Sequence, residues 1–292
     1  TLIERQPSPA EMLPLLLPML ENSLAEAATT EEQDRVRRGL VLSLGALAAH
    51  TEPDDPRVAP VLQRLIDTLS TPSEAVQRTI SASLALLVRP RAIRDRGAEY
   101  LDALLASLVA TPSYAMRRGA AYGVGGLVRG LGLPVLEGRG VLDALHAASA
   151  SKDKGEKGAF AREGALFAYE ALADALGRLF EPYILDVVPQ LLACVADGSG
   201  GVRAAAVAAS QTIMGRLSSQ GAKLVLPALL DALDSEKWRT KHAAVELLGA
   251  MAYCAPTQLA STLPRVVPAL TEVLAHPHPR VKEKAQESLS LV

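Results

Sequence analysis

A recurrence of about 40 residues constrains this chain more than any other feature. An apolar pair stands before a proline five times, at Met12-Leu13-Pro14, Val58-Ala59-Pro60, Val187-Val188-Pro189, Val225-Leu226-Pro227 and Val266-Val267-Pro268, each followed by leucines. The prolines are 46, 129, 38 and 41 residues apart, and the long gap holds three intervals of 43. A second marker, an apolar residue followed in most units by a cation, recurs at Val36-Arg37, Val76-Gln77, Met116-Arg117, Ala161-Arg162, Val202-Arg203, Trp238-Arg239 and Val281-Lys282. Its second members are 40, 40, 45, 41, 36 and 43 residues apart, which averages about 41. A unit of that size cannot bury its apolar face alone and is stable only when stacked on copies of itself.

The periodicity within each unit is helical. Ile184, Val187, Val188, Leu191, Leu192 and Val195 follow the i, i+3, i+4, i+7 spacing of one helix face, and Leu263, Val266, Val267, Leu270, Val273 and Leu274 nearly repeat it. A proline inside such a stripe removes a hydrogen bond and predicts a bent first helix. Turn signals at Thr71-Pro72-Ser73, Thr111-Pro112-Ser113, Asp197-Gly198-Ser199-Gly200 and His276-Pro277-His278-Pro279 separate each first helix from a second one. Aromatic residues make up only 3% of the chain, too few for an ordinary β-sandwich core, so Leu, Ala and Val must fill the interior. Two helices per unit at this period predict an all-α, HEAT-repeat α-solenoid of about seven antiparallel helix pairs. The units are expected near residues 1–50, 51–92, 93–132, 133–180, 181–218, 219–255 and 256–292 of a single array. At 8–10 Å per helix layer such a stack is an arc on the order of 60–70 Å long. The missing initiating Met and the uncapped Leu291-Val292 end predict an excerpt of a larger protein.

Several function classes are disfavoured. A formal net charge of −2 gives no general attraction to nucleic acid, and two cysteines are too few for a disulfide framework or a four-ligand zinc site. The longest uncharged run, Leu247 to Pro264, contains two prolines and four hydroxyl or amide side chains, so no membrane span is expected. Neither a basic start nor an apolar leader is present, which predicts an intracellular chain. Some HEAT proteins are hydroxylases built on paired His-Glu dipeptides, but no Glu follows His50, His146, His242, His276 or His278. No GxxxxGK[ST] run occurs, so no P-loop nucleotide hydrolysis is encoded. Cys194 and Cys254 sit on apolar stripes and read as core residues. No catalytic residue, cofactor or metal is expected.

The cations opening the second helices are the candidates for function. Arg37, Arg117, Arg162, Arg203 and Arg239 are expected to form a structural ladder, donating to turn carbonyls or to Asp197 and Asp234; Asp197 would pair with Arg203 and Asp234 with Arg239. The second cations Arg118, Lys241 and Lys284 have no such structural task in this reading and become candidates for phosphate contact. Lys152, Lys154 and Lys157 join them, because the Lys152–Gly158 stretch lies in the longest repeat and predicts an exposed excursion. The glycine-rich run Gly119 to Gly130 predicts close helix packing, and Trp238 at an apolar marker position predicts a core side chain.

Longer runs carry a family resemblance. Arg117-Arg118-Gly-Ala-Ala-Tyr-Gly-Val-Gly-Gly-Leu-Val-Arg-Gly-Leu-Gly132, Arg162-Glu-Gly-Ala-Leu-Phe-Ala-Tyr-Glu170, Leu179-Phe-Glu-Pro-Tyr183, Lys223-Leu-Val-Leu-Pro-Ala-Leu-Leu230, Trp238-Arg-Thr-Lys241 and Glu246-Leu-Leu-Gly-Ala-Met-Ala-Tyr-Cys-Ala-Pro256 resemble the family of the translational activator general control nonderepressible protein 1. The resemblance runs from about Val36 to the end and is to the central HEAT segment that is similar to fungal elongation factor 3. The Lys152–Gly158 stretch is longer than the family pattern. The resemblance implies a cytoplasmic, ribosome-associated scaffold that takes part in activating the initiation factor 2α kinase during amino-acid starvation or ribosome stalling. It implies the ribosome and an ATP-binding-cassette protein as partners, with the kinase reached only through regions outside this chain. A generic HEAT adaptor, of the nuclear transport or phosphatase-scaffold type, is the alternative.

Overall fold

Proline and serine set the first helix boundaries. In Thr111-Pro112-Ser113 the proline cannot continue the preceding helix, and the Ser113 hydroxyl accepts the Met116 amide at the start of the next. Ser73 caps its helix through Val76 and Ser218 through Gly221 in the same way. The computed structural model describes residues 9–27, 30–49, 55–90, 93–254 and 256–291. His50 lies outside them, and the side chains of Met12, Leu13, Pro14 and Cys254 are likewise outside the description. No strand occurs among the described residues. The chain divides into two compact units, Thr1–Leu145 and His146–Val292.

The first unit holds α1 (Pro9–Glu26), α2 (Glu31–Ala49), α3 (Val58–Thr68), α4 (Glu74–Leu87), α5 (Arg94–Ala110), α6 (Tyr114–Leu131) and the short α7 (Pro134–Gly138). Helices α2, α4 and α6 pack on one another in succession, while α1, α3 and α5 each pack on the helix that follows, giving two layers. Val61, Leu62, Leu65, Ile80, Leu84, Leu101, Leu108, Val124, Leu127 and Val128 fill the space between the layers and are fully buried. The glycines of α6 are there for close approach. A Cβ on Gly119 would strike the Leu69 carbonyl, and one on Gly126 would strike the Ser81 carbonyl, so neither helix could sit where it does beside a larger residue. A volume-adding change at such a site costs about 1–3 kcal/mol.

The second unit opens inside α8 (Val141–Ser149), whose start is set by Gly140 at φ +61°, and continues with α9 (Glu156–Leu176). A 3-10 helix (Gly177–Tyr183) containing Pro182 leads into α10 (Ile184–Cys194), followed by α11 (Gly200–Arg216), α12 (Ser219–Leu233), α13 (Trp238–Cys254), α14 (Pro256–Val273) and α15 (Pro279–Leu291). Helices α9, α11, α13 and α15 form one layer and α10, α12 and α14 the other. Pro189, Pro227, Pro264 and Pro268 lie inside first helices, whereas Pro60 falls in the first turn of α3, where a missing N–H costs nothing. The stripe from Ile184 to Val195 is buried at every position. Its counterpart in α14 is only partly covered: Val266 and Leu270 are buried, but Val267 is exposed. The fold is an all-α HEAT-repeat solenoid of successive antiparallel helix pairs.

Candidate functional site

In four of the loops between a first and a second helix, backbone carbonyls without helical partners are satisfied by a long side chain that reaches back from the opening of the second helix. Arg117 donates to the carbonyls of Thr111 and Pro112 at 2.8 and 2.7 Å. Arg203 does the same for Asp197 and Gly198, and Arg162 for Ser151 and Asp153. Arg37 reaches the Thr71 hydroxyl of the following repeat. Gln77 fills this place in α4: its amide nitrogen donates to the carbonyls of Leu69, Thr71 and Ala115, and it is fully buried. Thr240 is a second buried polar residue that the sequence reading passed over, with its hydroxyl 3.3 Å from the Leu192 carbonyl.

The expected ladder and the expected place of Trp238 need correction at three points. Asp197 does not offer its carboxylate to Arg203. Arg203 takes the Asp197 backbone carbonyl, while the carboxylate sits 2.8 Å from Nε of Arg162 in the preceding repeat and also accepts the Ser199 amide. Arg239 makes no ion pair with Asp234 among the described residues; it is exposed, with its guanidinium carbon 4.6 Å from the centre of the Trp238 ring. Trp238 is half-buried rather than core, stacked on His278 at 3.8 Å with the planes 12° apart. The marker doublets also face differently: Val36 and Met116 are exposed while Arg37 and Arg117 beside them are buried, because the arginine is the residue that has carbonyls to satisfy.

Arg118 is the largest departure, since the expectation that it has no structural task fails. It donates to the Pro72 carbonyl at 2.7 Å, to Oε1 of Gln77 at 3.0 Å and to Glu74 at 3.4 Å, and its guanidinium lies over the Tyr114 ring. Glu74 also receives Arg78 and the Tyr122 hydroxyl. Burial pushes the Glu74 carboxyl up, but the bonds from Arg78 and Tyr122 and the charges of Arg118 and Arg78 outweigh it and hold the group below its usual range. Lys284 is also engaged, pairing with Glu287 one turn along its own helix.

The remaining candidates are free. Lys152, Lys154 and Lys157 are exposed, Lys241 is half-buried, and none makes a side-chain hydrogen bond or ion pair among the described residues. Lys237 belongs with them and was not anticipated; its place in a loop beside an acidic residue gave no periodic signal. Glu156, Lys157 and Gly158 form the first turn of α9, so the excursion is confined to the five residues before it.

Two grooves open at this end of the second unit. One, of about 660 Å³, lies between the 151–155 and 196–199 loops, with the Arg162–Asp197 pair in its wall and Lys152, Lys154 and Lys237 on its sides. The other, of about 440 Å³, brings Lys241, Arg265 and His276 together with Asp231, Asp234 and Glu272. Burial and the nearby charges of Lys241, His278 and Lys282 hold His276 below the usual imidazole range. Ser151 and Ser199 line the first groove, and neither hydroxyl hydrogen-bonds to a base among the described residues. Cys194 is buried, and burial pushes its thiol up to about 11. Among the described residues no group of three or more His, Cys, Asp or Glu could hold a metal, and no helix is long and apolar enough to cross a membrane.

Comparison with known proteins adds the family. Residues 117–289 match the family model described as the EF3 N-terminal HEAT repeat. The human stalled ribosome sensor GCN1 is 47% identical over 94% of this chain and 10% of its own length. The eIF-2-alpha kinase activator GCN1 of Saccharomyces cerevisiae is 34% identical over 94% of this chain, again 10% of the relative. Elongation factor 3 of Gonapodya prolifera is 34% identical over 45% of this chain and 12% of its own. The chain thus spans about a tenth of the length of these relatives. Among solved structures, Kap121p bound to Pho4p matches with a TM-score of 0.57 and 13% identity, covering 96% of this chain and 30% of the other, a likeness of fold alone. By these matches the chain belongs to the EF3 N-terminal HEAT repeat family, as the segment of that kind carried by GCN1 proteins.

Proposed function

We propose that this chain, acting as one array of helix pairs over residues 1–292, is a non-enzymatic scaffold segment of a ribosome-associated, cytoplasmic protein. It binds ribosomes and an ATP-binding-cassette partner, and so supports activation of the initiation factor 2α kinase, which itself is engaged by regions outside this chain. The GCN1 relatives, named as a stalled ribosome sensor and an eIF-2-alpha kinase activator, support the pathway. Likeness to elongation factor 3 over part of the chain supports the ribosome as a partner.

The observation that carries the reading is the division of labour among the cations. Arginines at the helix openings are committed to loop carbonyls and carboxylates, whereas Lys152, Lys154, Lys157 and Lys241 are held by nothing and are available to phosphate. Arg118 and Lys284 are engaged within the fold and are the weaker members of the contact set. Net charge of −2 is no obstacle, since association depends on local rows of charge. Co-sedimentation with ribosomes over a salt titration is the test. Reversal of Lys152, Lys154, Lys157 and Lys241 to Glu should lower affinity and flatten its salt dependence without moving the thermal midpoint. Unchanged co-sedimentation at every salt concentration would refute this edge as the contact.

A further inference from the structure

The groove between the 151–155 and 196–199 loops has an imbalance in its uncommitted charge. Of its carboxylates, Asp197 pairs with Arg162 and accepts the Ser199 amide, while Asp153 accepts only the neutral Gly155 amide at 2.8 Å and keeps its charge. Glu156 is exposed and likewise keeps its charge. Against Asp153 and Glu156 stand Lys152 and Lys154 from one inter-helix loop and Lys237 from the loop after next, their side chains bonded to nothing among the described residues. The first turns of α9 and α11 also open here, and neither cap residue, Gly155 or Ser199, closes them with a side-chain bond. The dipoles of these helix starts add positive potential to that of the lysines, offset at α11 by the Glu163 carboxylate lying against Gly201.

The lining also selects among anions. Its only apolar side chains are Ala159, Ala193 and Ala196, and it has no aromatic residue. A peptide needs a large apolar or aromatic anchor in a pocket to bind well, and a stacked base needs an aromatic face. Phosphate needs neither; lysine serves it as a point charge. We propose that this groove seats consecutive phosphates of a single RNA strand, with Lys152, Lys154 and Lys237 as the contacting groups. The inference rests on the ribosome-binding reading and gives it a specific seat, with Lys237 as a residue that reading did not include.

The test uses the full 292-residue chain and a fluorescein-labelled single-stranded oligouridine, followed by anisotropy between 50 and 200 mM salt, with ribosome co-sedimentation in parallel. Each single-strand phosphate contact contributes a slope of about 0.7 in log affinity against log salt, so K152A/K154A/K237A should reduce the slope by about 2 and weaken binding at least tenfold at 50 mM. K237E alone should reproduce most of the loss, which covers the case in which the triple variant is poorly behaved. Slopes unchanged in both variants overturn the inference even if ribosomes still co-sediment, in which case the broader reading stands. Oligouridine binding that depends on Lys237 supports the groove even if ribosome co-sedimentation of the parent fails. Poly-glutamate displacing the oligonucleotide at equal charge concentration would assign the groove to acidic protein segments and overturn the RNA proposal.

Discussion

Arg118 was a contact candidate on sequence grounds, and its geometry makes it a structural tie between successive repeats. In Arg118→Ala the bonds to the Pro72 carbonyl and to Glu74 are lost near solvent, and Glu74 is 44% exposed, so each should contribute only about 0.5–1 kcal/mol. Losing the bond to Oε1 of Gln77 is costlier, because that amide is fully buried and an unpaired buried acceptor costs about 1–3 kcal/mol. Together these give a destabilisation of about 2–5 kcal/mol, or a fall of roughly 4–20 °C in the thermal midpoint. Urea denaturation followed by helical circular dichroism gives the magnitude, and hydrogen exchange should place the loss in α4 and α6. Arg118→Lys should restore only the Glu74 pair, and the Gln77→Ala, Arg118→Ala double-mutant cycle should show coupling of about 1 kcal/mol or more. The cost should also shrink with acid. Glu74 is depressed in the folded chain, so its stabilisation is present above the ordinary carboxylate value of about 4.3 and is lost as pH falls through the lower folded value. If Arg118→Ala and Arg118→Glu leave the urea midpoint at the parental value while ribosome binding collapses, Arg118 acts outward and this account is wrong.

Gly119→Ala should lower stability by about 1–3 kcal/mol despite a helix-propensity gain of about 1, since the added carbon meets the Leu69 carbonyl. Gly215→Ala, with open space around it in the last turn of α11, should be neutral or stabilising in the same urea titration; equal effects would refute the packing argument. Asp197→Ala strands Arg162, whose side chain is 11% exposed, and should cost about 3 kcal/mol or more, whereas Asp234→Ala should cost little; similar denaturation midpoints would contradict this. Trp238 is the sole tryptophan, so His278→Ala should shift its emission to longer wavelength, and an unchanged spectrum would reject the stack. Burial, opposed by Glu246 and helped by Lys284 and Arg280, holds His242 below the usual imidazole range. The unfolded chain then takes up a proton first, so stability should fall as pH drops through about 6.5 and continue to fall until the lower folded value is passed. His242→Gln should flatten a midpoint-against-pH profile, and parallel profiles would refute it.

Much of the architecture was legible because repeats betray themselves: a stripe that must be buried on a neighbour, a proline that recurs, and a turn that needs Pro or Ser. What could not be read was the direction of adjacent side chains. Successive residues on a helix point about 100° apart, so Arg117 turns into its own loop while Arg118 turns to the preceding repeat, 41 residues back at Gln77. Gln77 holds the marker position yet stayed outside the expected ladder because the ladder was defined by charge, whereas the task is donation to carbonyls, which an amide performs without charge. The Arg239 error, by contrast, had a visible signal. Gln77, Arg117 and Arg203 are each the fourth residue of their helix, and Arg37 and Arg162 are the seventh, one turn later on the same face. Arg239 is the second residue of α13 and cannot share that face; Lys241 is the fourth. Counting from Lys241 turns the intervals of 36 and 43 into 38 and 41, which are the spacings of the prolines Pro189, Pro227 and Pro268. The two markers disagreed by two residues in the sequence itself, and the proline, fixed by packing of the first helix, was the one in register. Lys241 thus holds the ladder position of its repeat, yet it has no carbonyl bond and lines the groove with His276, so a position that elsewhere ties a loop is here open to the proposed phosphate contact.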